Sequence, residues 1–450
     1  MIETRFPVPN AEQTSRLVAQ VPEPVLSVVR RLKEAGHEAY LAGGCVRDLL
    51  RDAHPDDFDV ATSALPGAVL KLFKHVVPTG LQHGTVTVVL EGRTKHDKVE
   101  VTTFRGEGEY LDGRRPEQVH FITDVDQDLA RRDFTINAMA LDPTTGELRD
   151  PFGGLQDLAR GVVRAVGTPE ERFGEDGLRT VRAVRFASVL SFQMDEATHA
   201  AIPKALATFR KVANERTREE LTKLLSRSAR PSHGLELLRE TGLRDEIFPE
   251  LATMPSDVWQ GTLRVVDAVP SSAVLRWAAL LHRVGTDSAQ DAGLSSRLAK
   301  AILERLKHPR KVTDAAEHLI AEHAWPYSPA ATDAELRRHL ARIGEEEVED
   351  FLAFRMALVQ SRAQPDLVAI EAEYELAVRL RRLCEVRPPL AIADLAVTGG
   401  DIMMLAGRGP GTYVGVTLRR LLDHVIEQPE DNTRERLLEI ALASGTIPPR

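Results

Sequence analysis

The sequence predicts an α+β protein in which a small mixed sheet occupies the first 150 residues and an elongated, all-helical part follows. Strands are indicated by GTVTVVLEG (84–92) and HDKVEVTTFRG (96–106), which are rich in Val and Thr and alternate with a period of two. After Pro151 the chain is rich in Ala, Leu, Arg and Glu, and convincing strand patterns are scarce. Prolines separate the predicted helices of this part: Pro203, Pro231, Pro249, Pro270, Pro309, Pro326 and Pro388.

The other elements of the first 150 residues follow from local patterns. A helix is predicted for PEPVLSVVRRLKEAG (22–36), because Val25, Val29 and Leu32 recur at helical spacing and Gly36 suits its end. The next predicted elements are the strand EAYLAGG (38–44), the helix VRDLLR (46–51), the strand DFDVATS (57–63) and the helix LPGAVLKLFKHV (65–76). Strands and helices therefore alternate up to the first long helical region.

Composition narrows the class of protein. The chain has 450 residues, of which 43% are hydrophobic and 28% charged, as is typical of a globular protein with about two to four domains. A net charge of -9 excludes a nucleic-acid-binding protein whose whole surface is basic, but it permits a local basic patch. Only two cysteines occur, Cys45 and Cys384, which favours a reducing, cytoplasmic location and argues against a zinc cluster. We read no signal peptide at the N-terminus, and no apolar run approaches the roughly 18 residues that cross a membrane.

Two glycines, Gly43 and Gly44, separate the predicted strand YLA from the helix that contains Arg47. Glycines at this place let the backbone approach a ligand closely, and the free amides of the next helix attract an anion. The guanidinium of Arg47 adds a charged fork that suits phosphates. The turn therefore suits a triphosphate, although a Gly-Gly turn alone is more often only a tight connection.

Acidic residues follow this turn. Asp57 and Asp59 are two apart on a predicted strand, so they share a face, and adjacent carboxylates repel unless a cation lies between them. Oxygen ligands favour Mg²⁺, and two such ions can align an attacking hydroxyl with a leaving pyrophosphate. Glu100 alternates against Val99 and Val101, so it faces away from the apolar side and is the candidate third carboxylate; a solvated strand residue is the alternative.

These residues resemble those of the nucleotidyltransferase head shared with DNA polymerase beta. The stretch GGCVRDLLRDAHPDDFDVAT (43–62) is most similar to the first motif of the class II tRNA nucleotidyltransferase and bacterial poly(A) polymerase family. The resemblance implies Asp57 and Asp59 as metal ligands, and Gly44 and Arg47 as nucleotide-binding residues. It also implies five regions: an N-terminal extension (1–22), a nucleotidyltransferase head (23–150), a neck with a nucleobase-recognition helix (151–230), a helical body (231–365) and a tail that docks tRNA (366–450).

The block DLARRDFTINAMAL (128–141) places Asp133 and Asn137 four residues apart, on one face of a predicted helix, next to Arg132. Taken alone, the block is also typical of the charged first turn of an ordinary helix. In the family it resembles, this block recognises the ribose and phosphates of the incoming nucleotide. The resemblance thus assigns Arg132, Asp133 and Asn137 to the nucleotide site.

RFGEDGLRTVRAVRFASVL (172–190) is predicted to be one amphipathic helix, with Leu178, Val181 and Val184 facing inward. Asp176 and Arg179 can form an ordinary ion pair one turn apart, or together read the edge of a nucleobase. The segment resembles the family motif that acts as a protein template for the base of CTP or ATP. By that resemblance Asp176, Arg179, Arg182 and Arg185 belong to the nucleotide site. NERTREELTKLL (214–225) resembles the neck helix that follows, and no residue of it is assigned a role.

The segment FRGEGEYLDGRRP (104–116) contains three glycines and a polar middle, which predict a flexible loop carrying Arg105, Asp112 and Arg115. In the family a loop at this place allows the switch from C to A addition, and here it has full length.

In the helical body, His282 is followed by Arg283 where some relatives carry a metal-binding His-Asp pair, so this HD-like region is degenerate. The tail segment 389–438 resembles that of bacterial tRNA nucleotidyltransferases, which implies docking of the tRNA elbow.

We therefore predict a template-independent enzyme that uses Mg²⁺, CTP and ATP to add CCA, or its terminal A, to the 3′ end of tRNA. The alternatives are a poly(A) polymerase and an RNA-binding protein without catalysis. The acidic composition and the resemblance of the tail to that of tRNA nucleotidyltransferases argue against a poly(A) polymerase. The presence of every expected metal-binding and base-reading residue argues against a protein without catalysis. The sequence leaves the oligomeric state open.

Overall fold

The computed structural model describes residues 16–90, 97–106, 120–285, 291–364 and 366–447. The chain divides into two compact units, Met1–Ala252 and Thr253–Arg450. The first unit holds the sheet and the second is helical, so the predicted α+β class is confirmed.

The first unit is built on a seven-stranded mixed sheet with the strand order β3-β4-β5-β2-β1-β6-β7. Its strands are β1 (Ala39–Ala42), β2 (Asp59–Thr62), β3 (Val76–Gly80), β4 (Thr85–Val89), β5 (Lys98–Thr103), β6 (Ala140–Leu141) and β7 (Leu148–Arg149). Only the central β2–β5 pair is parallel, whereas the other neighbours are antiparallel. A separate parallel pair is formed by β8 (Val162–Val163) and β9 (Gln193–Met194), so the predicted neck (151–230) is mostly but not entirely helical.

Helices of the first unit cover the sheet and continue beyond it. They are α1 (Glu23–Glu34), α2 (Gly44–Leu50), α3 (Pro66–Leu72), α4 (Val125–Ala130), α5 (Gly154–Arg160), α6 (Pro169–Glu175), α7 (Leu178–Leu190), α8 (Glu196–Ala201), α9 (Leu206–Phe209), α10 (Asn214–Arg227), α11 (Pro231–Glu240) and α12 (Leu243–Ile247). One apolar cluster joins the sheet to these helices through Tyr40, Phe104 and Leu129, all of which are buried. Asp59 of β2 and Glu100 of β5 stay exposed beside this core.

The second unit consists of helices in the described residues. They are α13 (Ser256–Ala268), α14 (Ala273–Leu281), α15 (Ala292–Arg305), α16 (Arg310–Glu322), α17 (Asp333–Ile343), α18 (Val348–Gln360), α19 (Leu367–Val386), α20 (Gly399–Ala406), α21 (Thr412–Glu427) and α22 (Arg434–Ala443). Its core contains Trp259, Trp277, Phe351 and Phe354, each almost fully buried. None of the helices in the described ranges combines the length and apolarity that spanning a bilayer requires.

Several predicted elements differ from the observed ones. The predicted helix 65–76 ends at Leu72, and Val76–Gly80 is an edge strand that the sequence did not indicate. The predicted single helix 172–190 is wrong: α6 ends at Glu175, Asp176 is extended, and α7 starts at Leu178. Leu178, Val181 and Val184 are nevertheless buried, as predicted.

Candidate active site

Two carboxylates lie side by side on the central parallel strands. The first residue of β2, Asp59, is in register with Glu100 of β5, and both are exposed, whereas Val60 and Val101 beside them are buried. Residues paired in register on neighbouring strands project from the same face. The pairing of β2 with β5 therefore places Glu100 next to Asp59, and Glu100 lies on the exposed face that its alternation with Val99 and Val101 predicts.

The pKa of Asp59 is raised to about 6. Desolvation within the cleft is the main cause, the negative charge of Glu100 is the next, and Asp57 adds a smaller repulsion, while Arg132 opposes them. A carboxylate that is surrounded by other carboxylates favours a nearby cation. Asp57 itself precedes β2 rather than lying on it, because the strand starts at Asp59, but the alternation of exposed and buried residues extends back to it.

The glycine turn follows β1. Gly43 has φ of 87°, which disfavours any other residue, and its amide donates to the carbonyl of Met139 at 3.3 Å. A Cβ at Gly43 would lie 2.5 Å from Nη1 of Arg132, so the absent side chain makes room for that guanidinium. Gly44 is the first residue of α2, as its predicted role requires, and Arg47 lies in the same short helix.

A chain of polar contacts connects this turn to α7. Arg47 donates from Nη1 to Oδ1 of Asn137 at 2.8 Å, and Nδ2 of Asn137 donates to Oδ1 of Asp133 at 3.2 Å. The other Asp133 oxygen accepts from Nε of Arg182 at 2.8 Å. Burial would raise the pKa of Asp133, but the charge and hydrogen bonds of Arg182, with help from Asn137, hold it at about 2. Asp133 is therefore a buried, ionised anchor for Arg182.

Asp133 and Asn137 do not lie on one helix, contrary to the prediction. α4 ends at Ala130, and Thr135–Asn137 forms a 3-10 turn. The turn still brings the two side chains together, because Asp133 also accepts from the amide of Phe134 at 2.9 Å. Arg132 donates to the carbonyl of Asn137 at 3.3 Å and so packs against the same turn.

Helix α10 completes the site with residues that the sequence did not single out. Its buried Glu220 accepts from Nε of Arg185, and its Oε1 lies 3.6 Å from Arg182 and 3.8 Å from Nζ of Lys223. The ring of Phe186 lies beneath the guanidinium of Arg185, with Cζ 3.8 Å from the ring centroid. A charged helix surface gives no sign in the sequence that one of its acids will be buried among arginines.

These groups surround a cleft of about 520 Å³. It is lined by Gly43, Gly44, Arg47, Asp59, Val60, Ala61, Thr85, Glu100, Thr102, Arg105, Arg131, Arg132, Asp133, Asn137, Arg182, Arg185, Phe186, Lys223 and Arg227. Eight of these residues are Arg or Lys and three carry carboxylates, in a chain whose net charge is -9. Such a local excess of positive charge suits a polyanion.

Three predicted residues of the described ranges, Asp57, Asp176 and Arg179, do not line this cleft. Asp176 lies in the break between α6 and α7, where its carboxylate accepts from Arg216 at 3.3 and 2.7 Å and from the amide of Leu178 at 3.0 Å. Arg179 donates to Glu175 and, at 3.0 Å, to the carbonyl of Arg131. Both side chains are engaged with the protein itself.

Of the predicted flexible loop, Asp112 and Arg115 lie outside the described residues. Arg105 is described: it lines the cleft, and its amide donates to Oδ1 of Asp128 at 3.0 Å.

We compared the chain with known proteins, and the matches point to one family. Residues 39–164 match the poly A polymerase head domain, and residues 191–254 match the probable RNA and SrmB-binding site of polymerase A. The chain is 37% identical to the CCA-adding enzyme of Bacillus velezensis over 414 residues, which span 92% of this chain and 96% of the relative. The chain belongs to the CCA-adding enzyme family.

Other CCA-adding enzymes agree. The one from Geobacillus kaustophilus is 36% identical over 92% of this chain and 95% of its own. The crystal structure of the Bacillus stearothermophilus CCA-adding enzyme in complex with CTP aligns with a TM-score of 0.75 and 31% sequence identity, over 94% of this chain and 98% of that one. The resemblance deduced from the sequence motifs is confirmed over nearly the whole chain.

Proposed function

We propose that this chain is a tRNA nucleotidyltransferase that adds CCA, or its terminal A, to the 3′ end of tRNA from CTP and ATP. The oxygen of the RNA 3′ hydroxyl attacks the α-phosphorus of the nucleotide, the bond to the β-phosphate breaks, and the hydroxyl proton and pyrophosphate leave. The observation that carries the proposal is the Asp59–Glu100 pair facing a basic cleft in a chain of the CCA-adding family.

The residues of the cleft fit Mg²⁺. Across the described ranges no three or more His, Cys, Asp or Glu side chains are grouped so that they alone could hold a metal ion. Mg²⁺ does not need such a cage, because it keeps several waters and takes one or two carboxylates together with substrate phosphates. The raised pKa of Asp59 reflects desolvation first and the negative charge of Glu100 second, and a bound cation would offset both. We assign Asp57 and Asp59 as its ligands and Glu100 as the third carboxylate.

Bound Mg²⁺ would neutralise charge on the reacting phosphates and on the attacking and leaving oxygens. The protein's own contribution is positioning and fixed positive charge. The glycine turn with Gly44, together with Arg47 and Arg132, binds the phosphates. Asp133, held ionised by Arg182, and Asn137 bind the ribose side of the nucleotide.

The four residues of the predicted base-reading group fall into two sets. Arg182 and Arg185 line the cleft, where they can donate to a nucleobase, whereas Asp176 and Arg179 are engaged elsewhere. An exchange in which Asp176 leaves Arg216 and Arg179 leaves the carbonyl of Arg131 would free all four for base reading. We propose that nucleotide binding is coupled to this exchange of partners.

The experiment is incorporation of labelled CTP and ATP, each alone and together, on tRNA transcripts that end before the first C, after C and after CC. Complete CCA addition predicts use of all three transcripts, whereas an A-adding enzyme uses only the last. Asp57→Ala and Asp59→Ala should abolish incorporation by a protein that stays folded. Asp56→Asn, which alters an exposed neighbour outside the cleft lining, should retain it.

Turnover of Asp57→Ala close to that of the unaltered protein would refute the metal assignment. Long A-tails on tRNA and on an unrelated RNA oligomer would instead identify a poly(A) polymerase. A cytoplasmic location remains a prediction from the cysteine content.

A further inference from the structure

Two basic side chains of α10, Lys223 and Arg227, line the cleft but belong to none of the predicted nucleotide-binding motifs. They are four residues apart on one helix, so they lie on the same face, one turn after the other. Their side chains are 44% and 58% exposed, unlike the buried Glu220 of the same helix. The helix thus offers two accessible positive charges to whatever enters the cleft.

The contacts of Arg227 place it near the reacting end of the cleft. Its Nη1 lies 3.2 Å from a carboxylate oxygen of Asp56, the residue next to Asp57. The groups suited to the nucleotide phosphates, by contrast, come from other elements: the glycine turn, α2 and Arg132. Since an attacking 3′ end has to reach the carboxylates, a strand that carries it would pass close to Arg227.

The ion pair between Arg227 and Asp56 can be exchanged for a ligand. Both partners are exposed, Arg227 at 58% and Asp56 at 72%, and a solvated pair of this kind contributes at most about 1 kcal/mol. A phosphate forms a charge-assisted, bidentate contact with the same guanidinium. Nζ of Lys223 lies 3.8 Å from Oε1 of Glu220, which is beyond hydrogen-bond distance, and the side chain is 44% exposed, so its ammonium is accessible to a phosphate.

We infer that Lys223 and Arg227 bind phosphates of the acceptor RNA strand next to its 3′ end. The inference rests on the proposed function, because it takes RNA as the second substrate. The shared chemistry is phosphate binding, so the triphosphate of CTP is the competing ligand that the experiment has to exclude.

The experiment compares Lys223→Ala, Arg227→Ala and the double variant in binding to a tRNA transcript ending in CC. Binding is measured over a series of KCl concentrations without nucleotide. Each lost phosphate contact lowers the slope of log affinity against log salt by about 0.7 to 0.9, so the double variant should lose about 1.5. Lys211→Ala, an exposed lysine outside the cleft, is the matched control and should keep the full slope.

A second measurement is the KM for CTP at saturating tRNA, which should stay unchanged in all variants. Arg227→Lys keeps the positive charge and should restore most of the slope, which a merely structural role would not predict. An unchanged slope in the double variant, or a loss confined to the KM for CTP, overturns the inference.

The same measurements distinguish a failure of this inference from a failure of the proposed enzyme function. If the unaltered protein binds tRNA with a slope that depends on Lys223 and Arg227 but incorporates neither CTP nor ATP, the phosphate contacts stand and the enzyme assignment is wrong.

Discussion

The buried carboxylate of Glu220 accepts a hydrogen bond from Nε of Arg185, and it joins α10 to α7 at the wall of the cleft. The same carboxylate lies 3.6 Å from Arg182, which is bonded on its other side to Asp133. Glu220 is therefore the counter-charge that allows two cleft arginines to lie next to each other. It does not line the cleft, so it acts by positioning them.

Glu220→Ala should destabilise the first unit by about 3 kcal/mol, because it leaves a buried guanidinium without its partner. Glu220→Gln keeps an acceptor for Arg185 but removes the charge, so it should remain folded and select CTP over UTP about tenfold less well. Denaturant unfolding and misincorporation assays measure the two effects. Glu219→Gln alters the exposed neighbour, and an equal loss of selectivity in that variant would contradict the positioning role.

Removal of the Asp59 carboxylate should stabilise the protein while abolishing its activity. The pKa of Asp59 in the folded state is raised from 3.8 to about 6, so the folded protein keeps the proton at pH values where the unfolded chain has lost it. Ionisation thus costs stability above pH 6, and none of that cost remains below about pH 4. Because the Asp59 side chain is exposed, solvent offsets part of the desolvation and screens the repulsion, so we expect Asp59→Asn to gain only about 1 kcal/mol at pH 7.5.

Thermal unfolding of Asp59→Asn and of the unaltered protein at pH 7.5 and pH 4, without Mg²⁺, measures this gain. The gain should vanish at the lower pH. Added Mg²⁺ should raise the Tm of the unaltered protein more than that of Asp59→Asn. A variant that is less stable than the unaltered protein at pH 7.5 would show that Asp59 is not under electrostatic strain.

The contact between Arg216 and Asp176 should control how the base is read. Arg216→Ala frees the carboxylate of Asp176, so we expect the KM for CTP and ATP to fall if this contact holds Asp176 away from the base. An unchanged KM with about tenfold weaker discrimination against UTP and GTP would instead show that Asp176 reads the base from its present position, and it would overturn the proposed exchange of partners. Single-nucleotide incorporation kinetics separate the two results, and Arg218→Ala on the same helix is the control. Unchanged kinetics in Arg216→Ala would remove Asp176 from the nucleotide site.

The sequence predicted those parts of the fold that local patterns determine. The alternating Val and Thr residues of β4 and β5 identified both strands and the exposed face of Glu100. Val76–Gly80 was missed because it contains Pro78 and is mostly exposed, which only an edge strand tolerates. The pairing of strands far apart in sequence, such as β2 with β5, required the structure.

The site was predicted where residues act within one motif, and missed where they act between motifs. Asp59, Arg47 and Asp133 belong to recognisable motifs, and the structure places all three at one cleft. Glu220 and Lys223 lie on a helix whose charged pattern is also that of a solvated surface. Only the packing of α10 against α7 gives these residues their neighbours.

Gly177 shows how tertiary packing constrains the residue next to a helix break. A Cβ at this position would lie 2.6 Å from the backbone N and Cα of Phe209, so neither alanine nor proline fits without a shift of backbone. Gly177→Ala should therefore destabilise the protein by about 1 to 3 kcal/mol. Gly174→Ala is the matched control, because a Cβ there meets nothing within 4 Å and alanine favours the helix. Denaturant unfolding measures both, and equal stabilities would contradict the close approach.

The second unit should be sensitive to acid through its buried histidines. The pKa of His282 and that of His339 are each lowered to about 3, chiefly by burial. The unfolded chain binds these protons at its ordinary pKa of 6.5 and the folded unit does not, so stability should fall as the pH drops from 6.5 towards 3. His339 stacks on Trp325 with ring centroids 3.8 Å apart, and in the described residues neither ring nitrogen has a hydrogen-bond partner.

His339→Phe should keep the stacking and remove a buried polar group, so we expect the variant to be about 1 to 3 kcal/mol more stable at pH 7.5. Its advantage should grow at pH 5, because the variant no longer has a proton to exclude. Thermal unfolding at the two pH values measures this, with His318→Phe as the control at a more exposed position. An advantage that is the same at both pH values would mean that His339 titrates normally in the folded protein.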